Sequence, residues 1–210
     1  MKKNLPILAA VILSSVSTFS AAEGVYVFGT VGKSNIDTGV SSVSGLHIDE
    51  TDTMFSLGAG YQVNDYFSIE AGYTDLGEAS ISTTSPISGD AYGSSVTLDG
   101  KLSADATGYF IGAKGEANIS EQVSFFARAG FLHWESDAKI SGTATIDGET
   151  FTGTASAQAA DGTDPYVSLG AAYAFNDQVA IDLQVSRYML DFDGDDVNVD
   201  TLSLGATFKF

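Results

Sequence analysis

Over the last twelve residues, Val199–Phe210, apolar and polar side chains take strict turns. Leu202, Leu204, Ala206, Phe208 and Phe210 fall on one parity, and Thr201, Ser203, Gly205, Thr207 and Lys209 on the other. A period of two is that of a β-strand with one apolar and one polar face. Such a strand needs partners of the same kind, and the chain supplies them.

Three earlier segments share a template: Tyr61–Glu70, Ala117–Phe126 and Tyr173–Asp182. Val63, Ile119 and Phe175 are equivalent positions separated by 56 residues each time. Each segment reads as strand, tight polar turn, strand. Phe55, Leu57, Ala59 and Tyr61 precede the first turn, and Phe67, Ile69, Ala71 and Tyr73 follow it. Both sets are odd-numbered, and directly paired residues share a face, so each turn holds an odd number of residues. Three is the expectation, with Asn64-Asp65 supplying the first turn. That register sets Glu70 opposite Gly58, Arg128 opposite Gly112 and Asp182 opposite Gly170.

With a first strand near 25–33 and the last at 199–210, the total is eight. The others are expected near 54–63, 66–76, 107–119, 122–134, 165–175 and 178–191. Each is long enough for a tilted strand to cross a bilayer. Short turns alternating with long connections are the pattern of a transmembrane barrel. The reading is therefore all-β: an eight-stranded antiparallel up-and-down barrel, with an interior that side chains fill.

At the other end, Met1–Ala22 has a basic start (Lys2, Lys3), an apolar core from Leu5 to Leu13, and Ser20-Ala21-Ala22. This reads as a cleavable signal peptide over 1–22, with the barrel domain over 23–210. Its apolar run is too short to span a bilayer as a helix. With a formal charge of −18, the chain is a poor partner for nucleic acid. It has no cysteine, so no disulfide framework, thiolate chemistry or cysteine-held metal is expected.

Tyr61-Gln62-Val63-Asn64, Glu70-Ala71-Gly72-Tyr73 with Leu76-Gly77, and Leu202-Ser203-Leu204-Gly205 resemble stretches of the OmpA transmembrane domain. The protruding loops expected below are similar to those of OmpX-like barrels. The likeness follows the strands and fails in the loops. It implies a Gram-negative outer-membrane location, short turns in the periplasm, and a carboxy-terminal phenylalanine, Phe210, read by the barrel-assembly machinery. It implies outer-membrane lipid and lipopolysaccharide as surroundings, and a monomer. The periplasmic peptidoglycan-binding domain of full-length OmpA has no counterpart here, so cell-wall tethering is not carried over. The family also places ionised residues inside the barrel. Glu70, Lys114, Glu116, Arg128 and Asp182 fall on the inward parity, and buried charges must be paired. A five-member network blocking a water path is one expectation, and a satisfied polar core without gating is the other. Ala172 stands where the family has an acid and Asp182 where it has an arginine, which alters the pairing.

Long loops are expected near 35–52, 77–105, 135–163 and 192–198. Asp99-Gly100 and Asp147-Gly148 lie between alternating residues, the strongest short hairpin signal. Loop three, and loop two with it, should be hairpins standing above the membrane, open to a strand-pairing extracellular ligand. In the last loop Asp191, Asp193 and Asp195 alternate as in a calcium loop. Asp196 replaces the sixth-position glycine and Leu202 the twelfth-position acid. An acidic solvated turn is the favoured reading, a loose divalent site bridging to lipopolysaccharide phosphates the other. Of the two histidines, His47 lies in loop one. His133 reads as an interfacial aromatic, belted with Trp134 and Phe131. No nucleophile–base constellation stands out, so neither enzyme activity nor a cofactor is expected. The expected role is a non-catalytic barrel serving envelope structure and surface interaction. The alternatives are a narrow channel for ions or very small solutes, or an adhesin acting through its loop hairpins.

Overall fold

The computed structural model describes residues 24–37, 46–49, 51–87, 96–146, 149–192 and 195–210. The expected signal peptide, and the Asp147-Gly148 turn itself, lie outside them. Nine strands run in chain order: β1 (Val25–Asp37), β2 (Leu46–Asp49), β3 (Thr51–Asn64), β4 (Phe67–Ile87), β5 (Val96–Asn118), β6 (Val123–Ile146), β7 (Glu149–Ala174), β8 (Val179–Phe192) and β9 (Asp195–Lys209). Pairing follows β4-β3-β1-β9-β8-β7-β6-β5, all antiparallel, and β5 returns to β4. Eight strands thus close a barrel without a free edge, the one sheet form a membrane accepts. β2 stands outside the closure and pairs with Ser80–Thr83 of β4, a strand not anticipated within loop one.

Alternation decides which side chains go where. On β9, Leu202 and Leu204 are more than half exposed, while Thr201 and Ser203 are buried. The same division runs round the barrel: Phe125, Ile111, Leu169 and Leu183 form an outward apolar band, and Ser68, Ser124, Ser168 and Gln184 look inward. An apolar outside and a polar inside reverse the order of a water-soluble sheet, so lipid is the solvent the band requires.

The facing parity agrees with the sequence reading, but the register is two residues further along in all three hairpins. Glu70 pairs with Gly60 rather than Gly58, Arg128 with Lys114 rather than Gly112, and Asp182 with Ala172 rather than Gly170. The turns are centred one residue later in the chain, where side chains at equivalent positions hold them. Asn176 Oδ1 accepts from the amides of Gln178 and Val179 at 2.9 and 2.8 Å. Ser120 Oγ accepts from those of Gln122 and Val123 at 3.3 and 3.0 Å. In the first hairpin Asn64 Oδ1 accepts from Tyr66 N at 2.9 Å, and Val63 is the extra residue of a bulge. These side-chain contacts occupy amides that the turns would otherwise leave unmet.

At the opposite end the strands overrun their expected limits. Asp99-Gly100 is not a turn: Asp99 pairs with Thr84 and Thr143, and Gly100 with Thr83 and Gly142. Alternation continues through the dipeptide and two flanking strands fix it in extended form, which overrides its local turn preference. Loop three is a hairpin as expected, with Ile146 paired to Glu149. The last connection is shorter than 192–198, since Phe192 pairs with Asp195. β4–β7 therefore rise beyond the barrel as a four-stranded sheet with β2 beside it. The shift from barrel to sheet passes through bulges at Asp75/Glu78 and Ser136/Asp137. Gly77 at the first has φ +89, a conformation glycine takes without a Cβ penalty.

Candidate functional site

The lumen is built in layers from the turn end outward. Nearest the turns, Lys114 Nζ donates to Glu116 Oε2 at 2.7 Å and Ser124 Oγ to Glu116 Oε1 at 2.6 Å. A cavity of about 690 Å³ lies here, lined by these groups, Asp182, Lys209 and the turns at 120–122 and 176–178. Phe126 floors it. Lys114 Nζ stands 5.0 Å from its ring centroid and Arg128 Cζ 4.3 Å from it, so two cations share one aromatic ring.

Above Phe126, Arg128 Nε donates to Glu70 Oε2 at 2.8 Å, and Tyr26 Oη to Glu70 Oε1 at 2.7 Å. Arg128 Nη1 also donates to Gln184. Gly60 and Gly112 flank Glu70 in the sheet, and a Cβ at either would run into the lumen rings of Tyr26 and Tyr166. An aromatic layer of Phe28, Phe110, Tyr166 and Tyr188 follows, with centroids 5.6–6.2 Å apart between neighbours. The cavity between this layer and the ion pair measures about 20 Å³, room for about one water.

Beyond the aromatics the mouth is apolar. Met54, Leu76, Leu132, Trp134, Leu190 and Val199 are all at most 2 % exposed. Trp134 packs against Phe192 in a tilted pair with centroids 4.4 Å apart, and its Nε1 donates to Asp164 Oδ2 at 2.7 Å. This corrects the belt expected around it: Trp134 sits on the inward parity of β6 and plugs the mouth. Only His133 and Phe131 face outward, with His133 Nδ1 2.9 Å from Thr163 Oγ1. Sequence patterning could have found the plug, because Leu132, Trp134, Leu190 and Val199 break the polar inward parity together near the ends of their strands.

The five expected lumen charges do not meet as one group. Glu70 pairs with Arg128, and Lys114 with Glu116. Asp182 is buried beside Gly205, with no hydrogen-bond partner for Oδ1 among the described residues. Of the acidic turn, Asp191 N donates to Asp164 Oδ2 at 3.0 Å, and Asp193 lies outside the described residues. No group of three metal-ligating side chains occurs among the described residues. His47 lies on β2, paired with Ser82.

A closed eight-strand barrel, apolar outside and plugged inside, matches one family over residues 7–210: outer membrane protein beta-barrel domain. The chain belongs to that family. It is an integral protein of the Gram-negative outer membrane, with its tight turns on the periplasmic side and its extended strands outside. Neisserial surface protein A is a similar solved structure, at 16 % identity with a TM-score of 0.54, covering 91 % of this chain and 100 % of that one. Ail, the attachment invasion locus protein of Yersinia pestis, aligns at 17 % identity with a TM-score of 0.42, covering 90 % and 99 %. No curated protein matches the chain.

Proposed function

We propose that this protein is a non-conducting, non-catalytic barrel whose task is to hold a β-sheet beyond the outer membrane for surface interaction. One observation carries the reading: the lumen narrows to about 20 Å³ at the ion pair and is closed by Trp134 and its apolar neighbours at the external mouth. A hydrated ion has no continuous polar path through such a column. What the barrel does deliver to the outside is the sheet of β4–β7. His133, the one histidine with a described side chain, lies 2.9 Å from Thr163 Oγ1 but has no acid hydrogen-bonded to it among the described residues to complete a catalytic constellation. Lys33 and Arg187, the latter ion-paired with Asp200 at 2.6 Å, lie beside an outward groove of about 540 Å³ that would face lipopolysaccharide at the outer leaflet. Phe210 closes the last strand, its amide donating to Val25 O at 3.1 Å, and serves as the assembly signal.

Planar-bilayer recording of the refolded protein tests the reading. Wild type should show no steady conductance, and Trp134→Ala combined with Arg128→Ala should open one. Steady wild-type current that changes in Glu70→Ala would establish the narrow channel instead.

A further inference from the structure

The external sheet has one face without charge. From Ala79 to Ser85 the register builds four rows across β4–β7: Ala79–Ala104–Ala138–Ala157, Ile81–Leu102–Ile140–Ala155, Thr83–Gly100–Gly142–Gly153 and Ser85–Leu98–Ala144–Phe151. None of these positions holds an ionisable residue, in a chain of net charge −18. The alternate rows carry Lys101, Lys139 and Asp99 among serines and threonines. Leu102, Ile140 and Phe151 on the uncharged face are 45 %, 62 % and 59 % exposed. A Cβ built at Gly142 or Gly153 meets nothing within 4 Å, so this part of the face is open. Exposed apolar rows in a single layer are the mark of an interaction surface.

We infer that the occupant of this face is the same face of a second copy, standing in an apposed membrane. This rests on the surface-interaction reading above and names its partner. Three features point to a like copy. The Leu102–Ile140 ridge runs beside the Gly100–Gly142–Gly153 trench, so a two-fold operation lays each ridge in the other copy's trench, and such a contact is self-complementary. Four strands of seven paired residues cover about 440 Å² per copy at ~3.3 Å rise and ~4.8 Å spacing, giving about 900 Å² for a pair, the size of a weak contact that copies arrayed on two facing membranes repeat. For two chains this acidic, an uncharged face is where they approach without like-charge repulsion.

Apposed membranes follow from parity. β5 and β6 pair without a register shift from Asn118–Ser124 to Val96–Ile146. The even-numbered residues that line the lumen at Phe110 and Leu132 therefore continue upward into the uncharged face. Each face looks across the axis of its own barrel. Two copies in one membrane would have to overlap their barrels to bring these faces together, whereas copies in facing membranes do not.

Lipid nanodiscs holding one barrel each test this directly, with a tagged population mixed with an untagged one and captured by the tag. Wild-type discs should co-capture. Ile140→Asp should weaken capture more than about tenfold, since it buries an unpaired charge. Ser141→Asp, on the alternate rows, should leave capture unchanged, and each variant is first checked for heat-modifiable gel migration. Wild-type discs that stay separate, or Ile140→Asp discs that associate undiminished, overturn the inference. Adherence of expressing bacteria to host-cell monolayers keeps the two readings apart. Separate discs with adherence lost on removing residues 80–103 and 139–156 would overturn the second copy and leave the surface-interaction reading standing. Loss of neither would overturn both.

Discussion

Glu70 and Arg128 meet at 2.8 Å inside the barrel, both at most 6 % exposed. β4 carries the acid and β6 the base, with β5 between them, so the contact reaches across one strand and depends on both pairings. Removing one partner leaves the other charged in a site with room for about one water. Arg128→Ala should destabilise the barrel by about 3–5 kcal/mol. Arg128→Met combined with Glu70→Gln, which removes both charges, should recover most of that loss. Urea unfolding in lipid vesicles, followed by the heat-modifiable gel shift, measures both.

The side-chain-held turns predict a smaller effect. Asn176→Ala frees the amides of Gln178 and Val179 and should cost about 1 kcal/mol, with Asn176→Asp close to wild type. The same assay resolves the pair, and Ser120→Ala should behave alike.

Gly170 predicts overpacking. A Cβ there would strike the Phe126 ring and come within 2.7 Å of Leu183 O, a backbone atom that cannot swing aside. Gly170→Ala should destabilise by about 1–3 kcal/mol. The double variant with Phe126→Leu should recover only the ring's part of it.

On the lipid side, Leu204 lies between Val31 and Leu183 in the outward band. Leu204→Lys should cost up to about 4 kcal/mol if the site is near the bilayer midplane, and less toward either interface. Refolding yield into vesicles of increasing thickness reads the depth. A lysine tolerated at no cost would mean that this face does not meet lipid.

In the external sheet, Lys139 Nζ donates to Asp105 Oδ1 at 2.8 Å, which holds the ammonium above its ordinary pKa of 10.5. A raised folded pKa means the stabilisation is complete below 10.5 and fades as pH climbs through the folded value. Sheet stability should therefore be flat with respect to this lysine from about pH 7 to 9. Lys139→Met should change it by less than about 1 kcal/mol, since the pair is solvent-exposed. Hydrogen exchange of the β5 and β6 amides reports both.

Strand number, facing and closure were legible in the sequence because lipid enforces a period of two, and a one-residue slip would invert every face. Register was not. Parity constrains it only to even steps, and the choice between steps lay in hydrogen bonds from Asn64, Ser120 and Asn176 that periodicity does not report. Asp99-Gly100 misled for a related reason: its turn preference is local, while its pairing depends on strands both earlier and later in the chain. The inward parity of Glu70, Lys114, Arg128 and Asp182 could be read directly. Which of them touch could not, since Glu70 and Arg128 meet across a strand that contributes neither. Trp134 was misplaced because aromatic character suits a membrane interface and a plug equally well, and only the parity of β6 separates the two.

The barrel is a cup rather than a tube, closed toward the medium and open toward the cell. Its 690 Å³ bowl shares the periplasm's ionic strength, so the Lys114–Glu116 contact weakens as periplasmic salt rises. The Glu70–Arg128 contact, sealed above Phe126, keeps its strength. Osmotic change would thus loosen the base of the cup while leaving its waist untouched.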